Sequence, residues 1–126
     1  MYTLLVVEDQ KDLRLLLQEV FHQDGLSVVM AATGIEALEQ LRLVRPDLML
    51  LDLKLPGLNG CTVLKEARRM YPLLPVIIMT AGYDEEHDSD LHRCPGVVEV
   101  LSKPFDLFRA RRLVMSRLCF TMSKEV

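Results

Sequence analysis

Residues 46–60 read PDLMLLDLKLPGLNG. Leu48, Met49, Leu50 and Leu51 form an unbroken apolar run closed by Pro46 on one side and Pro56-Gly57 on the other, the pattern of a short strand buried on both faces. Asp52 ends the run. A carboxylate sealed in the interior would be costly, so Asp52 is expected to emerge at the carboxyl end of the strand, where water or a cation reaches it. In an open parallel sheet the crevice beyond those strand ends is where ligands bind. Asp52 alone could as well begin a turn, and the flanking segments have to decide.

On the amino-terminal side, Thr3 to Val7 (TLLVV) is apolar and β-branched and runs into Glu8-Asp9, so it reads as a buried strand ending on two acids. Leu13, Leu16, Leu17, Val20 and Phe21 then recur at helical spacing, with Asp9 or Gln10 able to cap the start and Gly25 ending the element. Ser27 to Ala31 is a second strand. Thr33 with Glu36 has the form of a capping box for a helix carrying Ile35, Leu38 and Leu41, which Pro46 ends. On the carboxyl side, Val63, Leu64, Ala67 and Met70 mark a helix from near Asn59 to before Pro72. Val76 to Met79 is a doubly buried strand leading to Thr80-Ala81-Gly82. The segment from Asp84 to Arg93 is a helix by position only, since Leu91 is its one large apolar residue and its Asp, Ser and His are poor helix formers. Val97 to Leu101 is the fifth strand, leading into Ser102-Lys103-Pro104-Phe105. Leu107, Ala110, Val114 and Leu118 give a last helix its buried stripe, and the residues after Cys119 read as a helix end or frayed tail. Strands and helices alternating at these lengths imply a parallel sheet covered on both faces.

In such a sheet the first, third, fourth and fifth strands present their carboxyl ends at one edge. Glu8, Asp9, Asp52, Thr80 and Lys103 therefore converge. Two carboxylates ~4 Å apart repel by roughly 4 kcal/mol at an effective dielectric near 20, so three of them need compensation. Lys103 offsets one charge, and a hard divalent cation such as Mg2+, which takes carboxylates together with water and phosphate oxygens, offsets the rest. Thr80 and Lys103 are suited to hold the oxygens of a phosphoryl group, which leaves Asp52 as the nucleophile.

The chain resembles the receiver domain of two-component response regulators over nearly its whole length, through VVEDQ at the start, DLKLPGLNG around Asp52, MTAG at Thr80 and SKPF at Lys103. The resemblance implies an α/β, flavodoxin-like, doubly wound five-stranded parallel sheet in the order 2-1-3-4-5 with helices on both faces. It implies that Asp52 is the phosphoacceptor, that Glu8 and Asp9 hold Mg2+ together with Asp52 and the backbone carbonyl of Lys54, that Thr80 is the switch hydroxyl and that Lys103 binds the phosphoryl group. The donor it implies is a phosphohistidine on a sensor histidine kinase or a histidine phosphotransfer protein. The receiver domain is expected over 1–120 with a tail at 121–126, and output to a downstream effector or a homodimer is expected on the face of segment 84–93, the fifth strand and the last helix. Receivers usually carry Tyr or Phe three residues before the lysine. Here that residue is Val100.

Composition fits this reading. At 126 residues with a net charge of −3, the chain is one domain with no bias toward nucleic acid, and no DNA-binding motif is present. No apolar run is long enough for a membrane span and the start lacks a signal peptide, so the cytoplasm is the expected compartment. Cys61, Cys94 and Cys119 are odd in number and lack a CxxC, which points to buried thiols. The three histidines, His22, His87 and His92, share no metal-site spacing and read as surface residues. Three other classes compete. A haloacid-dehalogenase-like phosphatase places a second acid two residues beyond its nucleophile, where this chain has Lys54. A flavodoxin-like FMN module needs hydroxyls and amides at its first loop, where Glu8 and Asp9 would repel phosphate. A degenerate receiver serving as a scaffold usually lacks a site residue, and none is lost here.

Overall fold

A computed structural model describes residues 1–81 and 94–125 of the chain. The alternation read from the sequence is present: β1 (Thr3–Val7), α1 (Lys11–Gln23), β2 (Ser27–Ala31), α2 (Gly34–Leu43), β3 (Leu48–Asp52), α3 (Gly60–Met70), β4 (Val76–Ala81), β5 (Val97–Lys103) and α4 (Leu107–Glu125). The strands form one five-stranded parallel sheet in the order β2-β1-β3-β4-β5. The expected helix over 84–93 lies outside the described residues. β5 extends two residues beyond the predicted Leu101 and takes in Lys103, and α4 continues through the stretch read as a helix end or tail.

Strand alternation sorts the core into two layers. Leu5, Val7, Met49, Leu51, Ile78 and Val100 face one way and pack under Ala37 and Leu41 of α2 and Val63, Leu64 and Ala67 of α3. Leu4, Val6, Leu48, Leu50, Ile77, Met79 and Leu101 face the other way, under Leu17 and Phe21 of α1 and Ala110, Val114 and Leu118 of α4. β3 is buried along its whole length, as the apolar run predicts.

Helix starts agree with the sequence with one difference. Thr33 accepts the Glu36 N–H at 3.1 Å while Glu36 reaches back to the Ala32 N–H at 2.7 Å, and Asn59 accepts the Thr62 N–H at 3.0 Å, so α2 and α3 are capped from their own sequence. Gln10 precedes α1 without a side-chain capping bond. Its N–H instead donates to Glu8 Oε2 at 3.0 Å, so the acid that ends β1 also anchors the turn into α1. Two close approaches hold the loop after β3. A Cβ on Gly60 would lie 2.5 Å from Leu53 Cα and one on Gly34 would lie 2.3 Å from the Leu58 carbonyl oxygen, so the helix starts rest directly on the loop backbone.

The cysteines depart from expectation: Cys61 is exposed on the first turn of α3 and Cys94 is half-buried. Helical position explains Cys61, because Val63, Leu64 and Ala67 fill the buried face of α3.

Candidate phosphoacceptor and metal site

The register of β4 against β5 contains one irregularity. Val76 pairs with Val97 but Ile77 pairs with Glu99, so Val98 is an extra residue in β5. Val98 packs with the α1 and α4 layer, and beyond it the alternation is reset, with Val100 beside Ile78 and Lys103 beside Ala81. Without the bulge, in regular register through Val98, Lys103 would fall on the opposite face of the sheet. With it, Lys103 shares the parity of Leu101, as Asp52 shares that of Leu50 and Glu8 that of Val6. All three therefore meet on the α1 and α4 side of the carboxyl edge.

The Lys103 ammonium bridges the two buried acids, donating to Asp52 Oδ2 at 2.9 Å and pairing with Glu8 Oε1. Asp52 Oδ1 accepts the Lys54 N–H at 2.9 Å, so both of its oxygens are held. This corrects one expectation. Asp52 does not emerge into solvent but is 3% exposed, because an ammonium and a backbone N–H replace the water it would otherwise need. Glu8 is fully buried, and Asp9 is the exposed member. One ligand oxygen from each of Glu8, Asp9 and Asp52 lies within 4.8 Å of the others.

Burial pushes the Glu8 carboxyl above the ordinary carboxylate range, against the pull of Lys103 and the Gln10 N–H. Burial alone would lower the Lys103 ammonium, yet its bonds to Glu8 and Asp52 hold it above the ordinary lysine value. Three carboxylates against one ammonium leave an excess of negative charge at this edge. The donor set is all oxygen, the chemistry that a hard divalent cation selects.

Thr80 is buried on β4, one residue beyond Met79, the register partner of Asp52. Its hydroxyl donates to the Ala81 carbonyl at 3.4 Å and makes no bond to Asp52 among those of the described residues. The edge thus collects all the predicted residues, with Glu8, Asp52 and Lys103 bonded to one another and Thr80 standing apart. Arg14 is a member of the site that the sequence does not announce. Its Nη1 donates to the Glu8 carbonyl at 2.9 Å and the Asp9 carbonyl at 3.3 Å. Its only signal in the sequence is a cation on the first turn of the helix that comes after the acid pair.

An acidic, lysine-bridged cluster at the carboxyl edge of a doubly wound sheet is the chemistry of a phosphate-handling module, and the comparison with known families agrees. The family model described as the response regulator receiver domain matches residues 4–114, and the chain belongs to that family. Among curated proteins it is similar to sporulation initiation phosphotransferase F of Bacillus subtilis, 39% identical over 115 residues, 91% of this chain and 92% of that one. It is also similar to the DNA-binding transcriptional regulator NtrC of Escherichia coli, 37% identical over 109 residues, which are 86% of this chain but 23% of that protein. Among solved structures it is similar to the response regulator protein TrrA of Thermotoga maritima in complex with Mg2+ and BeF, with a TM-score of 0.80 and 30% identity over 93% of this chain and 99% of that one. The chain is thus a receiver domain of two-component signal transduction, of a family that typically binds Mg2+. Among the described residues no helix is long and apolar enough to cross a membrane.

Proposed function

We propose that Asp52 accepts a phosphoryl group and that the site is a Mg2+-dependent switch. The observation that carries this reading is the buried Asp52 carboxylate, held through both oxygens by Lys103 and the Lys54 N–H, with Glu8 and Asp9 oxygens gathered within 4.8 Å. Glu8, Asp9, Asp52 and the Lys54 carbonyl would hold the ion, and the all-oxygen donor set and excess negative charge fit it. When bound, Mg2+ supplies neutralisation of the charge on the incoming phosphoryl oxygens.

The chain's own residues do the rest. Lys54 N–H fixes the rotamer of Asp52, so the carboxylate presents one geometry to the donor. An Asp52 oxygen bonds to phosphorus as the bond from phosphorus to the donor nitrogen breaks, and the donor imidazole leaves with that electron pair and takes up a proton. Asp52 thereby loses its own charge while the phosphoryl oxygens bring new charge beside it. Lys103 is already within reach, and moving from Asp52 Oδ2 to a phosphoryl oxygen keeps its charge compensated. Thr80, unbonded to the triad, is the hydroxyl able to turn toward the new oxygens and carry the change into β4.

The donor is a sensor histidine kinase or a histidine phosphotransfer protein, and the receiver catalyses its own phosphorylation and dephosphorylation in the cytoplasm. Residues 1–120 form the receiver domain. A downstream effector or a second copy of the chain takes the output from the surface of β5 and α4. The phosphatase alternative is not favoured, because the position that would need a general acid is Lys54, whose backbone is bonded to Asp52. Intact-mass measurement with a small acyl phosphate and Mg2+ tests the proposal. Wild type gains one phosphoryl group and Asp52→Asn gains none. Equal incorporation by both would place the acceptor elsewhere.

A further inference from the structure

We propose that Arg14 is a positioning residue for the metal site, clamping the turn that carries Glu8 and Asp9. The proposal rests on the Mg2+ reading above. β1 ends at Val7, and the next two carbonyls, those of Glu8 and Asp9, both receive the same guanidinium nitrogen, at 2.9 and 3.3 Å. The half-buried bond to the Glu8 carbonyl comes from the first turn of α1 and not from the sheet, and the bond to the Asp9 carbonyl extends the clamp to the exposed rim. Arg14 is itself half-buried, and its backbone N–H is bonded to the Gln10 carbonyl at 2.9 Å, so the clamp is anchored in the helix that the turn leads into.

The three acids differ in how they are held. Glu8 is fixed by Lys103 and the Gln10 N–H, and Asp52 by Lys103 and the Lys54 N–H. Asp9 is exposed, so its position depends on the main chain beneath it. Clamping that main chain keeps an Asp9 oxygen near the other two against their repulsion. The guanidinium bonds none of the three carboxylates, which leaves their oxygens for the ion, and since its charge alone disfavours a nearby cation, any loss of affinity on its removal reports the clamp. This is the arrangement in which a residue outside the ligand set controls metal affinity.

Calorimetric titration of Mg2+ into the full chain tests the proposal, with thermal melts in chelator run beside it for wild type, Arg14→Ala, Arg14→Gln, Arg14→Lys and Asp9→Asn. Arg14→Ala and Arg14→Gln are expected to bind Mg2+ about tenfold more weakly, in the range seen when outer partners of ligands are removed. Arg14→Lys, which keeps the charge and one donor, is expected to fall between them and wild type. Melting in chelator reads the cost of the lost carbonyl bonds by itself, and titration below the melting temperature, where each variant is folded, separates positioning from general stability. Binding by Arg14→Ala, or by Arg14→Gln if the alanine variant does not fold, within about twofold of wild type overturns the proposal. If in addition wild type binds and Asp9→Asn does not, the metal reading survives this failure. If wild type itself does not bind Mg2+, both fall together.

Discussion

Glu8 shows what the site asks of a single residue. Its carboxyl is fully buried and held above its ordinary value of 4.5, so the folded chain penalises its charged form. This cost sets in as pH rises from the ordinary carboxylate range and is fully present above the raised value. Lys103 acts in the opposite sense, giving stability that is present below its ordinary value of 10.5 and lost as pH rises through the raised one. Glu8→Gln is therefore expected to melt higher than wild type in chelator at pH 7, to lose this advantage at mildly acidic pH, and to lose most of the Mg2+-dependent shift. Lys103 is not stranded by the change, because Asp52 remains its partner. Melts at several pH values, with and without Mg2+, check all three statements. Gly60 gives a steric counterpart. A methyl group there meets the backbone of Leu53 and Asp52 and no flexible side chain that could yield. Gly60→Ala is expected to cost about 1–3 kcal/mol in urea denaturation and to slow phosphorylation by shifting the loop that holds Asp52.

Among the elements, those that the sequence foretold are those whose own residues decide them. The run Leu48 to Leu51 has no alternative to a doubly buried strand, and the Thr33, Glu36 and Asn59 caps act within four residues of their targets. The five residues gathered at the carboxyl edge were legible because each ends a strand whose direction is fixed by the parallel order. What could not be read are relations between distant segments. Whether Asp52 emerges or is covered depends on a lysine 51 positions away, and whether that lysine points toward it depends on the bulge that takes Val98 out of the ladder. Arg68 belongs to the same category. From α3 its guanidinium donates to the carbonyls of Tyr71, Pro72 and Leu74 and lies where a side chain on Gly96 would be, joining the loop before β4 to the start of β5. Burial lowers its pKa without a carboxylate partner, so the three carbonyls carry the compensation. Arg68→Ala is expected to lower stability by about 2–3 kcal/mol in urea denaturation, through three backbone acceptors that lose a charged donor.

For the molecule as a whole, three acids gathered at one edge would make a bound ion a partner in folding. Mg2+ at a hundredfold excess over its dissociation constant is expected to stabilise the fold by about 2.7 kcal/mol, and Asp9→Ala to abolish the shift. Thermal melts of wild type and variant, with Mg2+ and with chelator, check this. The two layers on either side of the sheet also divide the work. Glu8, Asp52 and Lys103 share the alternation of the α1 and α4 side, while Thr80 shares that of Ile78 on the α2 and α3 side, so a phosphoryl group bonded by both would be felt in both. The extra residue in β5 gives this division a rule for anyone rebuilding the molecule. A chimaera that keeps every residue of β5 but pairs Val98 regularly with Ile77 would match every side chain and still deliver its lysine to the wrong layer, whereas trimming Val98 leaves Lys103 beside Ala81. What has to be inherited is the pairing of Glu99 with Ile77, and a strand one residue shorter that keeps it keeps the lysine.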